Sequence, residues 1–293
     1  MPRGRATSSS GSRDASPIDR PRTAKKGSDG ARRPLVSGNW KMNQDHLQAL
    51  HTVQDLGLRL RSEDVAILDV SVHPPFTDLR TVQLVVEGDS IPVLLGAQHC
   101  SNHESGAYTG EVSAGMLARL GTQYVIVGHS ERRSHFDMND ETVASTLRAV
   151  LGHGMTPICC VGETAEERDA GRTEGRIEAQ VRSALEGLSP EQLASLVIAY
   201  EPIWAIGAGQ PATPVNAEDA CNFIRQLVAE LGDKDAAQGV RIQYGGSVDP
   251  ENAGDLVREP NVDGLLVGGA SLSAPTFVDV IRSVGACYRS LAA

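Results

Sequence analysis

The chain has 293 residues, 40% hydrophobic and 22% charged, and no apolar run in it approaches the roughly 18 residues of a membrane span. Its net charge of −10 is unevenly spread: residues 1–33 hold nine Lys/Arg against three Asp, so the remainder carries −16 and does not read as a nucleic-acid binder. Five cysteines with no metal-ligand spacing read as reduced thiols of a cytoplasmic protein, with neither a disulfide nor a metal site expected.

Residues 1–33 are rich in Gly, Ser, Arg and Pro and hold too little apolar surface to offset the entropy of ordering, so they read as a disordered basic tail. No apolar h-region marks a secretory signal; an Arg- and Ser-rich transit peptide, against which Asp14, Asp19 and Asp29 count, and an arm for an anionic partner are the other readings. Residues 34–293 read as one catalytic domain, since α/β barrels run as single domains of about 200–250 residues plus extensions.

From Pro34 onward, strand-length apolar runs alternate with longer amphipathic stretches. The runs are Leu35–Asn39, Leu68–His73, Val93–Gln98, Tyr124–Gly128, Met155–Val161, Leu196–Tyr200, Ile242–Gly245 and Gly264–Val267. Apolar on both faces, they suit parallel strands buried on both sides. Between them, Ala49, Val53, Leu56 and Leu60 share one helical face, as do Phe277, Ile281, Val284 and Tyr288. Ser189-Pro190-Glu191-Gln192 reads as a capping box with proline at the first helical position, and Thr213-Pro214 and Asp249-Pro250 repeat the pattern. About eight βα units point to a single (β/α)8 barrel, with catalytic groups at the carboxyl ends of the strands. A doubly wound open sheet predicts a Gly-rich turn after the first strand, which Ser37-Gly38-Asn39-Trp40-Lys41 is not.

The polar residues at those ends are Asn39 and Lys41 after the first strand, His129, Ser130 and Glu131 after the fourth, and Glu201 after the sixth. Singly, Lys41 reads equally as a surface lysine, His129 as a satisfied core histidine and Glu201 as a helix-capping carboxylate. Together on one barrel face they make a base, an electrophile and a cation. The segment Pro202-Ile203-Trp204-Ala205-Ile206-Gly207-Ala208-Gly209-Gln210 is too apolar for an idle loop and too Gly-rich for a helix, and reads as a lid. Gly207, Gly245-Gly246-Ser247 and Gly268-Gly269 follow late strands, where barrels cradle phosphate with main-chain N–H groups; simple tight turns are the other reading.

Six strings then carry a resemblance: Gly38-Asn39-Trp40-Lys41-Met42-Asn43, Gly106-Ala107-Tyr108-Thr109-Gly110-Glu111, Val127-Gly128-His129-Ser130-Glu131-Arg132-Arg133, Ala199-Tyr200-Glu201-Pro202-Ile203-Trp204-Ala205-Ile206-Gly207, Tyr244-Gly245-Gly246-Ser247 and Gly264-Leu265-Leu266-Val267-Gly268-Gly269-Ala270-Ser271. In this order they resemble the triosephosphate isomerase family from Pro34 to the end. The resemblance implies interconversion of dihydroxyacetone phosphate and glyceraldehyde 3-phosphate through a cis-enediolate, in glycolysis and gluconeogenesis, with no metal and no organic cofactor. It implies that Glu201 is the base and that His129 polarises the carbonyl as neutral imidazole. Lys41 and Asn39 then face the anionic substrate, Glu131 pairs with the lysine, and Ser130 holds the base while the lid is open.

Gly207, Ser247, Gly268 and Gly269 complete the implied substrate contacts, and Ile206 and Leu266 clamp the base when the lid closes. A homodimer is also implied, the loop bearing Thr109 inserting beside the partner's Asn39 and Lys41. No membrane partner is expected. Two places depart from the family pattern: Gly207-Ala208-Gly209-Gln210-Pro211-Ala212 in the lid, and Phe136-Asp137-Met138 where the family has Phe-Gly-Glu. The first predicts altered lid closure with chemistry retained, the second an altered dimer border. A non-catalytic phosphate-binding relative would tolerate loss of Glu201 or His129, and an aldolase-type barrel would need a Schiff-base lysine or a larger pocket.

Overall fold

In a computed structural model that describes residues 32–206 and 212–291, eight strands close into one parallel barrel in chain order. They are β1 (Leu35–Asn39), β2 (Asp69–His73), β3 (Leu94–Ala97), β4 (Tyr124–Val127), β5 (Thr156–Val161), β6 (Val197–Tyr200), β7 (Arg241–Tyr244) and β8 (Gly264–Val267). Each matches one of the eight expected runs to within a residue or two at its ends. Helical segments lie between successive strands, and Ala274–Leu291 follows the last. No described helix is long and apolar enough to cross a membrane.

Alternation along the strands divides the core in two. Leu35, Ile126, Ile158, Val197, Ala199 and Leu266 fill the barrel, whereas Val36, Val72, Val127, Ile198 and Ile242 pack outward against the helices. Each Val, Leu or Ile among them, fully buried, contributes about 1.5–3 kcal/mol of transfer free energy. The seam closes where β8 pairs with β1, Leu35 opposite Gly264. Gly264 has φ +149°, and a Cβ there would overlap the Leu35 carbonyl, so only glycine fits the closure.

Helix starts follow the expected chemistry at two of three sites. Ser189 and Gln192 form a reciprocal capping box with Pro190 in the first turn, and Thr213 accepts from the N–H of Asn216 ahead of Pro214. Asp249 and Asn252 instead exchange side-chain to backbone bonds within a turn, and the helix begins only at Ala253.

Not all of the barrel interior is apolar. Ser37, Ser71, His73 and Gln243 are fully buried and hydrogen-bonded in a row. His73 Nδ1 lies 3.1 Å from the Ala97 carbonyl, which only accepts, so the ring carries its proton on Nδ1. Its Nε2 is 3.1 Å from the Ser71 hydroxyl, the Ser71 and Ser37 hydroxyls are 2.9 Å apart, and Gln243 Nε2 donates to Ser37 at 2.9 Å. The assignment that uses every hydroxyl proton runs from Gln243 through Ser37 and Ser71 to His73 and on to Ala97. Burial lowers the His73 pKa to about 4, although its bond to Ala97 acts in the opposite direction. Gly96 makes room for the ring, since a Cβ there would overlap it.

The amino-terminal mouth is closed by charge. Arg241, buried, donates to the Tyr124 hydroxyl at 2.7 Å and to Asp69 at 3.1 Å. Arg33 pairs with Asp69 at 2.7 Å and donates to the carbonyls of Val65, Ala66 and Leu68, while Arg32 and Arg225 share Asp263. Residues 1–31 of the expected tail lie outside the described residues. Arg32 and Arg33, counted with the expected tail, are laid onto the barrel.

Candidate active site

Parallel strands deliver their last residues to one end of the barrel. Asn39 closes β1 and Lys41 lies two residues on; His129, Ser130 and Glu131 follow β4, Glu201 follows β6, Ser247 follows β7, and Gly268 and Gly269 follow β8. Asn39, Lys41, His129, Glu201, Ser247, Gly268 and Gly269 line one cavity of about 310 Å³, with Ile206 and Leu266 as apolar wall. Ser130 and Glu131 stand behind it and hold groups that face it.

Glu201 is only 2% exposed, and its two oxygens differ. Oε2 accepts the backbone N–H of Ser130 at 2.9 Å, at the start of the helix Ser130–His135. Oε1 is 3.1 Å from His129 Nε2, a close contact whose alignment falls short of a hydrogen bond, so this buried oxygen has no donor. His129 caps the same helix: its Nδ1 accepts the N–H of Glu131 at 3.2 Å. With Nδ1 an acceptor, the ring is neutral in this arrangement and its proton sits on Nε2, on the side that faces the cavity and Glu201.

Lys41 occupies a left-handed backbone conformation, φ +53°, unusual for a side-chain-bearing residue. Its N–H donates to Asn39 Oδ1 at 3.0 Å, and its carbonyl accepts from Gln98 Nε2 at 2.7 Å. The side chain runs toward Gly268 and ends 2.7 Å from Glu131 Oε1. Burial pushes the Glu131 carboxyl up, but the hydrogen bond and charge of Lys41, with His129 and His135, outweigh it, and it titrates below its ordinary value. A cation is thereby held at the mouth of a cavity in an otherwise acidic body.

Of the expected lid, Pro202 leads into a tight turn, Ile203–Ala205, and Ile206 borders the cavity. Trp204 Nε1 donates to Glu163 at 2.9 Å, the Tyr200 hydroxyl reaches the same oxygen at 3.1 Å, and the Arg168 guanidinium lies 4.1 Å above the indole. The Ser247 hydroxyl donates to the Ala205 carbonyl at 2.8 Å, tying the turn at the root of the expected lid to the loop after β7. Gly207, Ala208, Gly209, Gln210 and Pro211 lie outside the described residues, as therefore does the altered lid tip.

Thr109 sits on an exposed loop whose neighbour Tyr108 stacks on His103 at 3.9 Å. Asp137 has φ +52° where the family pattern has glycine, and Met138 is buried in the main core.

Two functional neighbours were not singled out from sequence. Gln98 ends an apolar run and touches only backbone carbonyls, which no residue pattern announces. Glu163 could have been found: it follows β5 as Glu201 follows β6, and it is completely buried.

Comparison with known proteins shows the family. Residues 34–284 match the family model described as triosephosphate isomerase. A triosephosphate isomerase of Corynebacterium efficiens is 53% identical over 84% of this chain and 94% of its own length. Those of Cutibacterium acnes and Mycobacterium avium are 49% and 47% identical, covering 86% and 84% of this chain and 98% and 95% of their own.

Proposed function

The chain belongs to the triosephosphate isomerase family, and from that premise we propose how its residues divide the work of interconverting dihydroxyacetone phosphate and glyceraldehyde 3-phosphate. The observation that carries the assignment is Glu201 itself: one oxygen tethered by Ser130 N–H, the other bare, buried and beside His129 Nε2.

Glu201 takes a proton from C1 of the ketone, and the C–H electron pair becomes the C1–C2 double bond as the carbonyl electrons move onto oxygen. The substrate's own carbonyl is the electron sink. His129 presents Nε2–H to the developing oxyanion, and a neutral ring serves because its bond to Glu131 N–H keeps Nδ1 unprotonated. Lys41 supplies fixed positive charge for the phosphate dianion and enediolate, and Asn39 supplies amide donors. Protonated Glu201 returns its proton to C2, with proton exchange between the two oxygens giving the aldehyde. One carboxylate thus serves both halves, and no net redox change occurs.

Glu131 holds the Lys41 ammonium, and Ser130 holds the carboxylate while the lid is open. Gly207, Ser247, Gly268 and Gly269 receive the phosphate, and Ile206 with Leu266 covers Glu201 when the lid closes, excluding the water that would promote phosphate elimination. Residues Pro202–Gln210 act as that lid.

The enzyme works as a cytoplasmic homodimer in this reading. Met42, Phe76, Tyr108 and Phe136 are each exposed on loops after the first four strands, at the active end of the barrel, and the Thr109 loop would enter the partner's site there. Coupled assay of both directions, with Glu201→Gln alongside, tests the assignment. Turnover surviving in that variant would remove Glu201 as the base, and a monomeric mass with full activity would remove the dimer.

A further inference from the structure

Lys41 stands in a backbone basin that L-residues avoid, and something must hold it there. Its N–H is occupied by Asn39 Oδ1 at 3.0 Å, which leaves its carbonyl as the second handle. That carbonyl accepts from Gln98 Nε2 at 2.7 Å. The same nitrogen donates its other hydrogen to the His73 carbonyl at 2.9 Å. His73 is the register partner of Asn39 across β1 and β2, so Gln98 bridges Lys41 to the rigid wall of the barrel. Gln98 is in turn the residue after Ala97, whose carbonyl receives the proton of the buried His73 ring.

We propose that Gln98 is a positioning residue for Lys41: its amide locks the left-handed turn that aims the ammonium over Gly268 and into the substrate cavity. The inference rests on the reading of Lys41 as the substrate-facing cation. Both hydrogens of the amide are spent on carbonyls, and the lysine backbone is gripped at both its polar groups. Without the clamp, Lys41 relaxes toward an ordinary backbone basin and its side chain leaves the line between Glu131 and Gly268. Fixed charge then becomes mobile charge, and misplacement of a binding group by about 1 Å is enough to cost up to about 100-fold. The penalty belongs mainly to binding of the dianion.

A double-mutant cycle separates this role from general support of the fold. Gln98→Met keeps the bulk and removes both donors; Gln98→Asn keeps the amide on a shorter stem and serves if the first variant does not fold. Each is measured alone and in the Lys41→Ala background for KM, kcat and competitive inhibition by inorganic phosphate, at a temperature where circular dichroism shows native structure. The expected result is a KM raised about tenfold or more and phosphate inhibition weakened in parallel, with almost no further loss from either Gln98 change once Lys41 is alanine. Unchanged KM, or losses that simply add in the double variant, would overturn the inference. If Lys41→Ala alone leaves KM intact, it is the reading of Lys41 that fails, a separable outcome.

Discussion

Glu201 Oε1 and His129 Nε2 stand 3.1 Å apart in the wall of one cavity, the oxygen without a hydrogen-bond donor and the nitrogen carrying the ring's proton. In their proposed roles as base and electrophile, groups this close would act on adjacent atoms of a small substrate. Replacing Glu201 by Gln keeps an oxygen for Ser130 N–H and removes the proton acceptor, so kcat falls by about 100- to 10,000-fold while the fold is retained. Loss of solvent deuterium incorporation into dihydroxyacetone phosphate, read by NMR, checks the step itself.

The buried His73 makes the barrel sensitive to acid. Its folded pKa of about 4 lies below the unfolded value near 6.5, so the unfolded chain binds the extra proton first. Stability from this site is intact above about pH 6.5 and falls as the pH drops toward 4, and the loss totals about 3 kcal/mol once both states are protonated. His73→Leu should flatten the melting temperature across that window; a parallel curve for the variant would count against it. Because burial also depresses His99 to about 4, the difference between the two curves is the quantity to read.

Arg32 and Arg33 predict a stability effect remote from catalysis. Together they hold Asp263, Asp69 and four backbone carbonyls at the amino-terminal mouth. Alanine at both positions should cost about 2–4 kcal/mol in urea unfolding, discounted for partial exposure, and leave KM unchanged.

Met42 is 96% exposed on the loop after Lys41, the most exposed large apolar side chain among the described residues. If this loop meets a second copy, Met42→Asp should shift the sedimentation coefficient toward a monomer and weaken association about tenfold or more. Activity should fall with it, since each site would lose the partner's Thr109 loop.

Much of this architecture is legible in the chain because a parallel barrel writes itself as apolar runs, and its chemistry collects where those runs end. Asn39, Lys41, His129 and Glu201 occupy such ends, and the structure brings all four to one cavity. The modest alternatives are partly true as well: Glu201 does cap a helix, but one that starts after a different strand. Gln98 is illegible because its partners are carbonyl oxygens, identical in every residue. The Ser37–Ser71–His73 row is illegible for a related reason, since serines and a histidine in an apolar run look like interruptions until neighbouring strands align them. Asp249-Pro250 shows the limit of local signals: its turn closes on itself before the helix begins.

The two arginines at the amino-terminal mouth also fix a direction. Arg32 and Arg33 bind at one end of the strands, and the cavity opens at the other. A surface tether or reporter protein joined directly before Arg32, in place of residues 1–31, would therefore meet the molecule at its base. Immobilised that way, the enzyme would stand with its substrate entrance turned to the bulk solution.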